Sequence, residues 1–562
     1  GVSSFGYSGT IAHAVVGAGR MSCGSEVATR RPVTYRRRAF AWVDAACSSC
    51  TLRTGMYSAV WAARPVAVAG SYGGSLWMVA VGSHSLMPAS GTTTAASHDD
   101  ARTGSRLAAS ASWRAVARVR ASQMAALLLL PAAHVAPALH SSQLVLTLAH
   151  ATASRMVAPR LVLLTCGTQA AVASQSWTAC GGGAAHGGAW GFARVLRLEH
   201  PRLRAQSIDV SHCARAAGAL PAGSPAEVET ALVAERCHVA RLRACSSCST
   251  SIHCPVPASG RYTITGGLGG LGLRAASLLV TRSVIEVQLA SRSGRVTRDG
   301  QAELGSLGGN AKVVACDGAD PCDARFVLSH AVSGVLHAAG VGDKGLLLEV
   351  SMARVQWMLA PKALGAWYTH RALTAAPLQA CIQFSSVGSG LGNVGQANYA
   401  TANAWLDSHA LSRRSRGIEA CCLQWPLVGG AGMGAAAFAL LAERRLAVVG
   451  MAGISLEQYA ECIGAQLSVC KGLLEGVKMA HHAELRQLLQ DLSDASQARF
   501  GELVREAAVQ AESGHPTNHA GAKAASAPPT NALMSTSSPL GQAEMEASVL
   551  RVVRELTGAP AA

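Results

Sequence analysis

The chain has 562 residues, 49% of them hydrophobic, 14% charged and only 4% aromatic. That balance excludes a disordered or collagen-like chain and predicts three or four globular units whose cores are built from small aliphatic side chains. The 48 basic and 32 acidic residues leave a net charge of +16, but the arginines fall in scattered clusters (Arg30–Arg31, Arg36–Arg38, Arg413–Arg414), without the basic stripe and interleaved aromatics of a nucleic-acid binder. Seventeen cysteines, an odd number without a tight framework, predict reduced thiols and a cytoplasmic setting. The Cys-Ser-Ser-Cys runs Cys47–Cys50 and Cys245–Cys248 lie far apart in unremarkable stretches, so chance explains them better than zinc and no metal is expected. The longest apolar run, Met124–Pro131, is far shorter than the roughly 20 residues of a membrane span, and no membrane association is expected.

In chain order, residues 1–50 hold a Gly/Ser-rich turn, a short apolar stretch and the basic run Tyr35–Trp42, and do not read as a domain. Residues 51–255 form a first α/β region, with buried strands at Leu76–Val81 and Leu161–Thr165 and helices at Leu144–Met156 and Gly188–Leu198. A second α/β region covers 256–480, with strands at Arg261–Thr265, Val284–Leu289, Lys312–Ala315, Gly334–His337 and Ala380–Ser385 alternating with helical segments. This alternation predicts two Rossmann-like, doubly wound parallel-sheet subdomains. Residues 481–540 read as a helix followed by an Ala/Pro/Ser/Thr-rich flexible linker, and Glu544–Leu556 within 541–562 as one amphipathic helix.

Thr265-Gly266-Gly267-Leu268-Gly269-Gly270-Leu271-Gly272 follows a strand and opens the helical run Leu273–Val280. Glycines there allow a tight turn and let backbone N–H groups approach a pyrophosphate at the helix N-terminus. Twenty residues beyond Gly272 stand Ser291 and Arg292 in place of an acidic ribose ligand. They suit a 2′-phosphate and predict NADPH over NADH, although Arg292 alone also reads as a solvated surface residue.

Ser386 ends a strand, Tyr399 follows thirteen positions later, and Asn403 lies one helical turn beyond on the same face. A phenol with pKa ~10 is a poor acid at neutral pH, and a cation such as Lys362 nearby would bring its proton within reach. Singly, these are a satisfied tyrosine, a solvated lysine, a strand cap and a polar helix residue. Together, downstream of a nucleotide loop, they form a reductive constellation.

Tyr399-Ala-Thr-Ala-Asn403, with Leu359-Ala-Pro-Lys362 upstream, resembles the ketoreductase domain of modular polyketide synthases and animal-type fatty acid synthases. There the Tyr-x-x-x-Lys of many short-chain dehydrogenases becomes Tyr-x-x-x-Asn, and the lysine comes from earlier in the chain. The resemblance implies that Ser386 and Tyr399 bind the substrate carbonyl oxygen, that Tyr399 donates the proton, and that Lys362 and Asn403 position it and support a proton relay. It also implies that Asp317 faces adenine and that His337-Ala338-Ala339-Gly340 lines the cofactor. Met56–Trp61 and Trp190–Arg194 with Leu198–His200 are similar to the opening strand and a later helix of the family's structural subdomain, which lacks a working glycine loop. Val2–Thr10 with Ala12-His13 resembles the end of a ketosynthase, and Pro539-Leu540 with Glu544–Leu556 the start of an acyl carrier protein. Implied partners are a carrier protein bearing the phosphopantetheine-linked substrate, other synthase domains, and a second copy joined through domains outside this chain.

The chain departs from that pattern in four places. Gly342-Asp343-Lys344 stands where one stereochemical class has Leu-Asp-Asp, and Leu391 where the other has Trp. The stretch from Asp317 to His337 is short enough to predict a trimmed helix, and Pro426-Leu427-Val428 replaces a Gly-Pro-Trp lid. The leading expectation is NADPH-dependent reduction of carrier-bound β-ketoacyl thioesters. A degenerate reductase serving as a scaffold, and a free-standing dehydrogenase of a small carbonyl, are the competing readings.

Overall fold

The computed structural model describes residues 2–5, 11–14, 54–64, 76–81, 124–129, 136–153, 159–169, 183–210, 227–233, 236–245, 260–282, 284–374, 376–443, 449–468, 476–482 and 484–513. Residues 1–51 and 52–562 are separate units. In the first, Val2–Phe5 pairs antiparallel with Ile11–Ala14. The basic run, the Ala/Pro-rich linker and the Glu544–Leu556 helix lie outside the described residues.

The second unit is organised by one sheet of fourteen strands. They are β1 (Thr54–Arg64), β2 (Leu76–Val81), β3 (Met124–Leu129), β4 (Arg160–Cys166), β5 (Gln206–Val210), β6 (Glu229–Val233), β7 (Arg236–Ala244), β8 (Arg261–Thr265), β9 (Glu286–Ser291), β10 (Ala311–Ala315), β11 (Gly334–His337), β12 (Ala380–Ser386), β13 (Cys421–Trp425) and β14 (Val477–His482). Their order is β10-β9-β8-β11-β12-β13-β14-β1-β7-β6-β5-β4-β3-β2. From β10 to β14 every pairing is parallel, and parallel pairing returns from β6 to β2. Between them β14–β1, β1–β7 and β7–β6 are antiparallel. The two expected α/β regions are thus halves of a single sheet, with the glycine loop following β8 in one of them.

Strand residues such as Leu161–Leu164, Ile264, Val287 and Leu289 are apolar and buried because helices cover the sheet. The strands expected from sequence appear with ends moved by a residue or two. Val284 is the clearest shift: its N–H caps the carbonyl of Leu279 at the end of the preceding helix, so β9 starts only at Glu286. The short Asp317–His337 stretch keeps a helix, Pro321–Val327, with Asp320 capping the N–H groups of Cys322 and Asp323. The region beyond 480 is folded up to residue 513: β14 runs through His482, and Leu485, Leu488, Phe500 and Leu503 pack with Tyr57 and Met479. No helix among the described residues is long and apolar enough to cross a membrane.

Candidate functional site

The glycine loop joins β8 to helix α3 (Gly270–Thr281), and close backbone contacts explain its composition. Gly266 has φ of +69°, and a Cβ there would lie 2.7 Å from the backbone of Ala339. At Gly267 it would meet the Ile264 carbonyl oxygen at 2.7 Å, and at Gly272 the Gly266 carbonyl oxygen at 2.5 Å. Gly269 caps α3 with no side chain, which leaves the first-turn amides without a side-chain acceptor, as a phosphate at a helix N-terminus would require. Thr265 and the Ala338–Gly340 segment border this loop, with the Ala338 N–H bonded to the Thr265 carbonyl at 3.0 Å.

Ser291 ends β9, and Arg292 opens the turn after it. Arg292 is exposed, and the Ser291 hydroxyl is buried without a hydrogen-bond partner. That orphaned hydroxyl and the glycine cradle fit a dinucleotide. Arg295, which the sequence reading did not single out, is also exposed on the same turn. Asp317 is exposed, and its carboxylate accepts the Ala319 N–H at 3.0 Å. Leu427–Val428, where a lid was expected, pairs with Gly453–Ile454, and just beyond it Gly432 approaches the glycine loop, where a Cβ on Gly270 would lie 2.5 Å from its amide nitrogen.

Lys362 arrives on an irregular turn. Pro361 has no N–H to donate, and residues Ala360–Leu364 adopt one π-helical turn between the α-helical segments Met352–Leu359 and Gly365–Ala372. The turn buries Lys362, whose Nζ donates to the Phe384 carbonyl at 3.0 Å and lies 5.6 Å from the centre of the Tyr399 ring. Its stem runs along Gly340, where a Cβ would sit 2.8 Å from Cε. Burial pushes the ammonium down to about 8, against the opposing influence of Cys422 and Asp407. The His337 ring joins the Thr265 hydroxyl, at 2.7 Å, to the Lys362 carbonyl, at 2.8 Å, and so fastens the nucleotide strand to the lysine turn. Burial holds this histidine down at about 4 and therefore neutral.

Ser386 is the N-cap of helix α4 (Val387–Leu391), and its Oγ accepts the Gly388 N–H at 3.2 Å. Tyr399 and Asn403 share a face of helix α5 (Ala397–Ser415), where Asn403 Nδ2 donates to the Tyr399 carbonyl at 2.9 Å. Asn403 Oδ1 is buried without a partner. The structure therefore brings Lys362, Ser386, Tyr399 and Asn403 together. One expectation changes: desolvation raises the Tyr399 phenol above its usual range although part of its surface stays open, and the side chains that oppose this are Ser386 and Asn403. Lys362 Nζ donates to a backbone carbonyl and stands over the ring face, and it is not among the groups that shift the phenol.

The other half of the sheet supplies the frame. Helix α2 (Gly187–Glu199) meets α5 through Gly187, Gly188 and Gly191; at Gly191 a Cβ would lie 2.2 Å from the Ala400 carbonyl oxygen. Arg194 on α2 donates to the Ser389 carbonyl at 2.7 Å, and Arg499 donates to those of Gly390 and Leu391 at 2.9 and 3.1 Å. These cations satisfy the end of α4. Buried Glu229 is their shared counter-charge, pairing with Arg194 at 2.8 Å, with Arg197, and with Arg499 at 3.8 Å; despite burial its carboxyl is held far below the usual range. Asp407, buried below Asn403 on α5, accepts from Ser389, Gln424 and Cys422. Asn398 Nδ2 donates to Asp343 at 2.6 Å, and Asp343 also pairs with Arg354, so the Gly342–Lys344 loop is tied to the residue before Tyr399. None of these supports was read from the sequence.

Residues 260–430 match the family model described as the KR domain. The chain is 38% identical over 223 residues to the Spectinabilin polyketide synthase system protein NorB of Streptomyces orinoci, covering 37% of this chain and 10% of that protein. It is 37% identical over 253 residues to the Polyketide synthase GfsA of Streptomyces halstedii, covering 43% of this chain and 3% of the relative. The chain thus spans only a small part of the length of these relatives. Among solved structures, that of an A1-type ketoreductase superposes with a TM-score of 0.64 at 23% identity, over 80% of this chain and 98% of the other. The first ketoreductase of the tylosin PKS does so with a TM-score of 0.59 at 24% identity, over 81% and 98%. The family match covers residues 260–430, and the solved ketoreductase structures share the fold of the larger unit.

Proposed function

We propose that this chain is the ketoreductase region of a modular polyketide synthase, reducing a β-ketoacyl thioester tethered to an acyl carrier protein to its β-hydroxyacyl form with NADPH. The observation that carries the proposal is the gathering of Lys362, Ser386, Tyr399 and Asn403 beside the glycine loop, inside the region that matches the KR family. A bound reduced nicotinamide would supply the hydride. Thr265, the Gly266–Gly272 loop and Ala338–Gly340 would hold the dinucleotide, Ser291 and Arg292 its 2′-phosphate, and Asp317 would face adenine.

Ser386 and Tyr399 would hydrogen-bond the ketone oxygen. Tyr399, kept protonated by burial, would deliver its proton as negative charge develops there. The Lys362 cation over the ring would stabilise the phenolate that remains, and Asn403, with its unpaired Oδ1, would support the relay that reprotonates it. The domain boundaries at 51, 256 and 481, the ketosynthase-like and carrier-like ends, and docking of an acidic carrier on the basic surface belong to the same proposal.

The scaffold alternative is disfavoured by the closed constellation and by the helix retained at Pro321–Val327. NADPH consumption with a β-ketoacyl thioester tests the reading. Tyr399→Phe should lower kcat at least about 100-fold, the range of a lost general acid. Equal rates for wild type and variant would leave a non-catalytic scaffold.

A further inference from the structure

Glu199 is the last residue of α2, where a carboxylate is opposed by the negative end of the helix dipole. What it gains there is two backbone donors from loops distant in sequence. Its Oε2 accepts the Leu347 N–H at 2.6 Å and its Oε1 accepts the Gly395 N–H at 2.8 Å. The two loops also bond to each other, Gly345 N–H to the Gly395 carbonyl at 2.9 Å. A ring nitrogen of His150, on helix α1 (Leu139–Ala153), holds the Leu347 carbonyl at 2.9 Å, so Leu347 is gripped on both sides by the half of the sheet without a glycine loop.

The residues just before the two tethered amides are Leu346 and Val394, both large, apolar and about half exposed. Leu346 follows the Gly342–Lys344 loop, and Val394 leads into the helix that carries Tyr399. We propose that Glu199 is a positioning residue for the substrate: by fixing the Leu347 and Gly395 amides it sets Leu346 and Val394 as an apolar lip that orients the acyl chain over Tyr399. The inference rests on the reductase reading for its substrate, but not for its geometry.

Glu199→Gln keeps the shape and one acceptor, and turns an NH2 group toward one of the two donors. Three measurements on the full chain test it: kinetics with β-ketohexanoyl N-acetylcysteamine thioester and the ratio of hydroxyl enantiomers formed, NADPH affinity by fluorescence, and hydrogen exchange in peptides spanning 343–348 and 393–397. The expected result is a fall in kcat/KM of about 10- to 100-fold with an eroded enantiomer ratio, as a displacement near 1 Å would cause. Exchange in both peptides should quicken about tenfold, while NADPH affinity stays within about twofold of wild type, because the glycine loop is untouched. Unchanged exchange in the two peptides would overturn the inference, as would faster exchange with an unchanged enantiomer ratio and kcat/KM, or a loss of NADPH affinity that marks a general structural role. If the wild-type chain itself fails to oxidise NADPH with the thioester, the reductase reading falls, and unchanged exchange still overturns the tether.

Discussion

Replacing Gly191 by alanine tests whether the half without a nucleotide site sets the catalytic helix. The new methyl would stand 2.2 Å from the Ala400 carbonyl oxygen and 2.7 Å from Ala404 Cβ, where real Cβ contacts stay beyond 3.0 Å. The helices must therefore part by about 0.8 Å, an overpacking that costs roughly 1–3 kcal/mol. Ala400 adjoins Tyr399, so the proposed proton donor moves with the helix. Displacement on the scale of 1 Å costs about 100-fold in rate. Thermal unfolding, NADPH titration and turnover of a β-ketoacyl thioester should show a lowered Tm, unchanged cofactor affinity and a strongly reduced kcat. A wild-type Tm would mean that the helices are not in such close contact. A lowered Tm with wild-type kcat would break the link between this contact and the placement of Tyr399.

Four further outcomes follow from the described contacts. With Lys362 pushed down to about 8, kcat should fall as pH rises through that value. Stability should move the other way: between about pH 8 and the unfolded pKa near ~10.4 the unfolded chain holds the extra proton, so urea midpoints should rise there. Glu229→Gln leaves Arg194, Arg197 and Arg499 without their shared carboxylate and should cost about 3–5 kcal/mol in chemical unfolding. Tyr459, on helix α6 (Leu456–Ser468), donates to the Leu271 carbonyl of the nucleotide loop at 2.7 Å. Tyr459→Phe should raise KM for NADPH about fivefold, the worth of one hydrogen bond, with kcat nearly unchanged.

The residues that touch cofactor or substrate in the proposed mechanism were legible because local rules place them. A glycine loop between strand and helix, and a Tyr–Asn pair one turn apart, leave a mark within a short window. Lys362 stood out as a cation that could act on the phenol, but its placement beside the Tyr399 ring depends on a π-helical turn that no periodicity announces. The roles of Glu199, Arg194 and Glu229 were hidden for a different reason, Arg194 and Glu199 having been noted only as part of a helix similar to the family's structural subdomain. Their partners lie 148 and 196 residues away for Glu199, and 195 for the Arg194 bond to Ser389, so nothing local announces what they hold. The Gly187, Gly188 and Gly191 stripe in α2 likewise becomes meaningful only when α5 lies against it. The strand β7 escaped notice because Arg236, Arg241 and Arg243 interrupt its apolar alternation, and two of these arginines pair with Glu227 and Glu502.

The antiparallel seam between β14 and β1 has a consequence for how the chain is made. Ser58 on β1 donates to the carbonyl of Val477, 419 residues further along. One edge of β1 can be covered early by β7, but the other must wait until residue 482 has been synthesised. At the roughly 5–20 residues per second of translation, that edge stays open for tens of seconds on the ribosome. An unpaired strand edge is a template for wrong partners, so mutations that weaken β14 should show first as poor recovery of soluble protein during expression.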